Sequence, residues 1–303
     1  MTAMQTAPRT VSAFGVWVMA VRPRTLSLSI VPVLVGLCLA WVETGRIDWV
    51  VGVAALVGAM GIQVGTNLHN DAADFEHGGD GPLRLGPPRV TALGLLSAAQ
   101  VKRGAYLCFG LAAASGLILV QSGGWPILGV GIVAILAGLA YSAGPWRIAY
   151  SPLGELFVVL FFGIVAVGAT YWLNARNLNP AAWIAGTAIG LFAAAVLLVN
   201  NHRDVESDAL VGRRTLAMVA GPRLTPLIYD ALVLLPFGLV AALGALLPAG
   251  HPWWLAYGAL PIALLLVKGF AGHPRARGLN LYLARTAMLQ LAFGLLLCVG
   301  LLL

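Results

Sequence analysis

The segment Trp49–Asp80, WVVGVAALVGAMGIQVGTNLHNDAADFEHGGD, changes character near Asn67. The run 49–68 is almost wholly apolar, rich in Gly, Ala and Val; behind it come Asp71, Asp74, Glu76 and Asp80. About 20 apolar residues cross a bilayer as a helix, and this run has that length. The helix therefore leaves the lipid into a knot of negative charge. A helix C-terminus already carries partial negative charge and favours cations, so the arrangement costs stability unless a cation is held there.

The remaining composition agrees with a lipid environment. Of 303 residues 60% are hydrophobic and 10% charged, with a mean hydropathy of +0.90; soluble domains carry roughly 25% charged residues. The 37 glycines suit closely packed membrane helices. Apolar runs at 26–42, 49–68, 104–121, 125–142, 153–173, 181–200, 224–247, 253–270 and 286–303 predict an all-α, polytopic protein with nine transmembrane helices. Placing the N-terminus in the cytoplasm puts all Lys and Arg except Arg46 and Arg176 on that side, the bias expected of cytoplasmic loops. The C-terminus is then outside. One domain over 1–303, opened by a cytoplasmic segment at 1–20, is expected in the cytoplasmic (inner) membrane. Cys38, Cys108 and Cys298 stand singly in apolar runs, outside any metal or disulfide spacing. Nothing in the chain calls for a nucleic-acid partner, and its oligomeric state is not legible.

Seven of the eleven acids fall in two stretches, 71–80 and 204–208, each ending an apolar helix on the predicted cytoplasmic face. A shift of 133 positions superposes Asn67 on Asn200, His69 on His202, Asp71 on Asp204 and Gly79 on Gly212. Two similar helix ends facing one site are expected. Asp71 and Asp74, and likewise Asp204 and Asp208, are spaced to share a helix face. Oxygen donors without a Cys or His cluster suit Mg²⁺, which binds through a few carboxylates and substrate phosphates. Arg203, Arg213 and Arg214, with Arg84 and Arg89 after the first stretch, add the positive charge that a diphosphate needs.

The two stretches carry a resemblance. NDAADFEHGGD resembles the first aspartate-rich motif of the UbiA superfamily of intramembrane aromatic prenyltransferases, and NNHRDVESDALVGRRTLA resembles the second. RPRTLSLSIVPVLVG, YSAGP at 141–145 and PLGE at 152–155 are similar to the branch that prenylates 1,4-dihydroxy-2-naphthoate. The resemblance implies nine helices around a central cavity, facing the cytoplasm, with Asn67, Asp71, Asp74, Asp204 and Asp208 holding Mg²⁺ and prenyl diphosphate. It extends to Asn70 as a diphosphate ligand and Asp80 as a metal ligand. Arg203, Arg213 and Arg214 would neutralise the diphosphate, and Tyr141 or Trp146 would face the allylic cation. Arg22 and Arg24 are the candidates for an acceptor carboxylate. The implied reaction is transfer of a polyprenyl group to dihydroxynaphthoate with loss of CO₂, giving demethylmenaquinone. The aspartates alone leave 4-hydroxybenzoate, haem and tetrapyrrole acceptors open.

An organic-anion transporter is the rival from another class, disfavoured because the acids sit at helix ends rather than at the bilayer midplane. His69 and His202 read as hydrogen-bonded helix-end residues and Glu155 as a first-turn acid. The basic run 272–278 reads as a contact for anionic lipid. The final helix carries no evident chemistry.

Overall fold

The computed structural model describes residues 12–81, 84–144 and 147–303, and every regular element among them is helical. Trp146, and residues 1–11 of the segment expected at 1–20, lie outside the described residues. Helix α1 (Ala13–Val21) is capped by Ser12, whose hydroxyl accepts from the Gly15 amide, and buries Val16 and Ala20. Eight longer helices are apolar enough to cross a membrane. These are α2 (Ser27–Thr44), α3 (Trp49–Glu76), α4 (Ala98–Ser142), α5 (Gly154–Ala175), α6 (Pro180–Arg203), α8 (Leu216–Gly244), α9 (Trp253–Phe270) and α10 (Leu279–Leu302). A six-residue helix, α7 (Val205–Leu210), lies between α6 and α8.

Helix α4 joins two apolar runs that the sequence separates. A straight helix of 45 residues would be about 67 Å long, twice the ~30 Å of a hydrocarbon core. The chain instead breaks at Gly124 (φ 66°, ψ −159°), followed by Pro126. That left-handed conformation is open to Gly and costly for other residues. The two arms fold back on each other: a Cβ at Gly138 would sit 3.3 Å from the Phe109 ring, and the same ring packs on Gly65 of α3.

The largest core is formed by α2, α5, α6, α8, α9 and α10, around Phe192, Phe237 and Phe293. Within α5, residues Leu160–Val165 form a π-helical turn. It lies directly on α6, where a Cβ at Gly190 would fall 2.6 Å from the Val159 carbonyl and 3.0 Å from its Cα. Backbone cannot yield there as a flexible side chain could. Gly190→Ala should therefore lower stability in detergent by about 1–3 kcal/mol, read as a drop in melting temperature. Gly129→Ala, in open space on α4, should show no loss.

Candidate active site

Helix α3 does not stop where its apolar run does. It continues to Glu76, placing Asp71 and Asp74 on regular helix, both almost fully buried. Helix α6 ends at Arg203, and Asp204 caps it before α7. The Asp208 amide still donates to the Asp204 carbonyl at 2.8 Å, so the second acidic pair keeps its one-turn spacing across the break.

One side chain joins the two motifs. The Arg213 guanidinium pairs with Asp74 through one nitrogen and, at 3.0 Å, with Asp208 Oδ1 through another. Its backbone amide also donates to the Asp208 carbonyl at 3.0 Å. The ring of Tyr150 lies 4.8 Å from the Arg213 guanidinium and 4.9 Å from that of Arg147. Arg89 descends from the loop after α3 onto Asp74 (2.5 Å) and Asp80 (3.0 Å), with Arg84 3.5 Å from Asp80. Thr91 of the same loop donates to Asp71.

Arg203 grips its own neighbour Asp204 with Nε at 3.0 Å and NH2 at 2.5 Å. It also donates to Asn200 Oδ1 (2.8 Å) and Asn280 Oδ1 (2.6 Å).

Below this charged lid lies a cavity of about 450 Å³. Helix α3 supplies its polar stripe, Gln63, Thr66, Asn67 and Asn70, one side of the same helix turn after turn. Asn200 lines it from α6 and Tyr141 from the end of α4. The Tyr141 ring stands 6.2 Å from Phe157, which is 4.5 Å from Phe161, and all three rings line the cavity. Arg22 lines it too, with the left-handed backbone (φ 58°) that ends α1 and one buried guanidinium nitrogen without a hydrogen bond.

The charges perturb one another. Burial pushes the Asp208 carboxyl up to about 6; Asp204 and Asp74 add to that push, against the pull of Arg213. Burial pulls Arg213 down, but Asp74 and Asp208 outweigh it and its net shift is upward. Burial, then the neighbouring Arg89 and Arg84, pulls Arg22 down to about 10, leaving it cationic at neutral pH. Burial likewise raises Asp80 and lowers Arg84.

The donor set fits a hard cation. Asn70 Oδ1, Asp80 Oδ2 and Asp208 Oδ2 are buried and without hydrogen-bond partners. Among the described residues no three His, Cys, Asp or Glu side chains converge into a site of their own. Mg²⁺ usually completes its shell with substrate phosphates and water, so an incomplete protein shell is the expected form.

Of the expected residues, Asn67, Asn70, Tyr141 and Arg22 line the cavity, and Asp74, Asp80 and Asp208 are joined beside it by Arg89 and Arg213, with Asp71 on the same helix as Asp74 and Asp204 tied through Arg203 to the cavity residue Asn200. The structure separates two expected residues from them. Arg24 is exposed and off the cavity wall, and Arg214 is exposed, its backbone amide donating to the Tyr150 carbonyl. Sequence reasoning missed Thr91, Phe157, Phe161 and Asn280. Asn280 corrects the view of the last helix as inert: α10 begins seven residues before the apolar run, and this residue holds Arg203 and the Leu85 carbonyl together. The 133-residue offset did point to Asn200, opposite Asn67.

The UbiA prenyltransferase family pattern matches residues 29–278. The chain belongs to that family. It is 30% identical to the 1,4-dihydroxy-2-naphthoate octaprenyltransferase of Bacillus subtilis over 299 residues, covering 98% of this chain and 96% of that one. The enzyme of the same name from Escherichia coli is 36% identical over 219 residues, 70% of each chain. A solved UbiA homologue from Archaeoglobus fulgidus, bound to DMAPP and Mg²⁺, superposes with a TM-score of 0.64 at 15% identity, covering 93% of this chain and 98% of the other. This UbiA-family chain is therefore a membrane prenyltransferase.

A carboxylate must be ionised to bind a metal. Below about pH 6 Asp208 is protonated, so stabilisation by Mg²⁺ with inorganic diphosphate should be larger at pH 7.5 than at pH 5.5. The sign for metal-free stability is opposite: a raised carboxyl favours the folded state below its ordinary value near 4 and loses that contribution as pH rises through about 6. Thermal melts at the two pH values, with Asp208→Asn removing the difference, check both.

Proposed function

We propose that this enzyme transfers a polyprenyl group from its diphosphate to 1,4-dihydroxy-2-naphthoate, with decarboxylation, in a Mg²⁺-dependent reaction at the cytoplasmic face of the cell's inner membrane. The observation that carries the reading is the Arg213 bridge between the two acidic motifs at the polar mouth of an apolar cavity. Full-length similarity to dihydroxynaphthoate octaprenyltransferases supports the acceptor. The bound DMAPP and Mg²⁺ of the archaeal homologue support the donor and the metal. The positive-inside bias supports the orientation, with the arms of α4 crossing separately to make nine passes and the C-terminus outside.

Asp71, Asp74, Asp204 and Asp208, with Asp80, Asn67 and Asn70 beside them, would hold the metal–diphosphate head. Mg²⁺, when bound, supplies Lewis-acid stabilisation of the departing diphosphate. Arg213 and Arg89, already at the mouth, would turn from carboxylate to phosphate. Arg203, its donors spent on Asp204, Asn200 and Asn280, serves chiefly to fix the second motif in place. The allylic C–O bond breaks with its electron pair leaving on diphosphate, and the cation left behind faces the rings of Tyr141 and Phe157. Arg22 would hold the acceptor's carboxylate. The ring carbon bearing that carboxylate forms the new C–C bond; the bond to CO₂ then breaks, and its electrons restore the aromatic ring. The product is the reduced form of demethylmenaquinone.

Purified protein given dihydroxynaphthoate, 4-hydroxybenzoate and a prenyl diphosphate should form only the naphthoate product, by mass spectrometry, with CO₂ released in equal amount. Prenylation of 4-hydroxybenzoate alone overturns the acceptor assignment. Asp71→Ala and Asp204→Ala should each lose about two to three orders of magnitude in turnover, the scale of a removed electrostatic group. Arg213→Ala should fall with them, and Arg214→Ala should stay close to the parent enzyme.

A further inference from the structure

The cavity has unlike walls. Apart from Tyr141, α4 lines it only with Gly, Ala, Val, Leu and Ile, and α5 adds Phe, Val, Ala and Leu with the single polar residue Thr170, whereas α3 presents Gln63, Thr66, Asn67 and Asn70. Most polar groups near the mouth are already engaged. Ser29 donates to the Leu26 carbonyl at 3.0 Å and Thr25 to the Arg22 carbonyl at 3.0 Å. Asn67 donates to the Val21 carbonyl at 3.4 Å, and Asn200 accepts from Arg203.

Gln63 differs. It is buried at 6% exposure and lines the cavity, yet among the described residues its amide makes no hydrogen bond. Its amide faces the cavity and is free to bond a ligand held there.

Depth identifies which ligand. Gln63 is eight residues before Asp71, about 12 Å along the helix axis, beyond the reach of a diphosphate held by the aspartates. A prenyl tail has no group to hydrogen-bond. The remaining substrate is the aromatic acceptor. Asn67 contacts the backbone beside Arg22, and the Arg22 guanidinium lies within range of Asp71 and Asp74, so Gln63 lies one to two turns deeper, about 6–12 Å. A fused bicyclic ring anchored by its carboxylate at Arg22 spans a comparable distance. The hydroxyl next to that carboxylate is taken by an internal hydrogen bond; the hydroxyl para to it is free.

We infer that Gln63 hydrogen-bonds the distal ring hydroxyl of the aromatic acceptor and so selects acceptors that carry one. The inference rests on the reading of the acceptor as a hydroxylated aromatic acid.

The test compares the full-length parent enzyme with Gln63→Met, similar in length and without polar hydrogens. Acceptors are 1,4-dihydroxy-2-naphthoate and 1-hydroxy-2-naphthoate, the second also measured as a competitive inhibitor, with geranylgeranyl diphosphate as donor. The parent should prefer the diol by about tenfold, the scale of one hydrogen bond. The variant should prefer it by less than about twofold, with an unchanged KM for the diphosphate, which also shows that it folds. Retained preference in the variant, or a raised KM for the diphosphate in place of lost acceptor preference, overturns the inference. If the parent enzyme prenylates 4-hydroxybenzoate and not the naphthoate, the acceptor assignment fails separately. The ratio of inhibition by benzoate to affinity for 4-hydroxybenzoate then decides Gln63: a ratio that collapses in the variant supports its role, and an unchanged one refutes it.

Discussion

A carboxylate buried at the C-terminal end of a membrane helix is the constraint around which this protein is organised. Asp74 has the helix dipole against it, and the desolvation cost of such an ion is several kcal/mol. A single surface-type ion pair, worth about 4 kcal/mol at 4 Å in an effective dielectric of 20, does not comfortably cover that. Asp74 has two cations, Arg89 on one oxygen and Arg213 on the other. They arrive from loops more than a hundred residues apart, so the pairing draws both loops to the end of α3.

The same pairing explains how an acidic site can exist before its metal arrives. Each carboxylate that a divalent cation would take over, apart from Asp71 with its Thr91 hydrogen bond, already has an arginine on it. Entry of a metal–diphosphate head would exchange partners, carboxylate passing to metal and arginine to phosphate. Charge-assisted hydrogen bonds from Arg are as well suited to phosphate as to carboxylate. Arg203 falls outside this exchange, because its donors are spread over Asp204, Asn200 and Asn280 and would all have to be surrendered together.

What could be read in the sequence follows from the range of each interaction. The helices were legible because a lipid-spanning segment satisfies its own backbone and must be apolar over its full length. The apolar arms of α4 were likewise separable at the Gly–Pro break. The acids were legible because charge is rare in such a chain. Thr91, Asn280 and the contrast between Arg213 and Arg214 were not, since each depends on how a loop folds back. Adjacent arginines in GRRT are chemically equivalent in the sequence, and only the turn that returns the Arg213 amide to the Asp208 carbonyl tells them apart. Helix α1 escaped notice for a related reason: nine residues are too few to span, and its burial depends on α3 and α4.

Tail length escapes a sequence reading for a physical reason that the cavity now makes plain. A volume of about 450 Å³ is within the range of pockets for drug-sized molecules, room for an aromatic acceptor and the reactive end of a prenyl chain. Leu117 and Ile132 line that cavity and yet are 62% and 50% exposed, so other elements do not cover the α4 side of the cavity there. Methylene groups beyond it meet the bilayer, whose affinity for each, about 0.8 kcal/mol, matches what an apolar protein wall offers. A binding surface that cannot distinguish itself from the surrounding solvent exerts no selection on how much chain lies in it. The polar mouth and the few polar positions along α3 are the parts of the wall that differ from lipid.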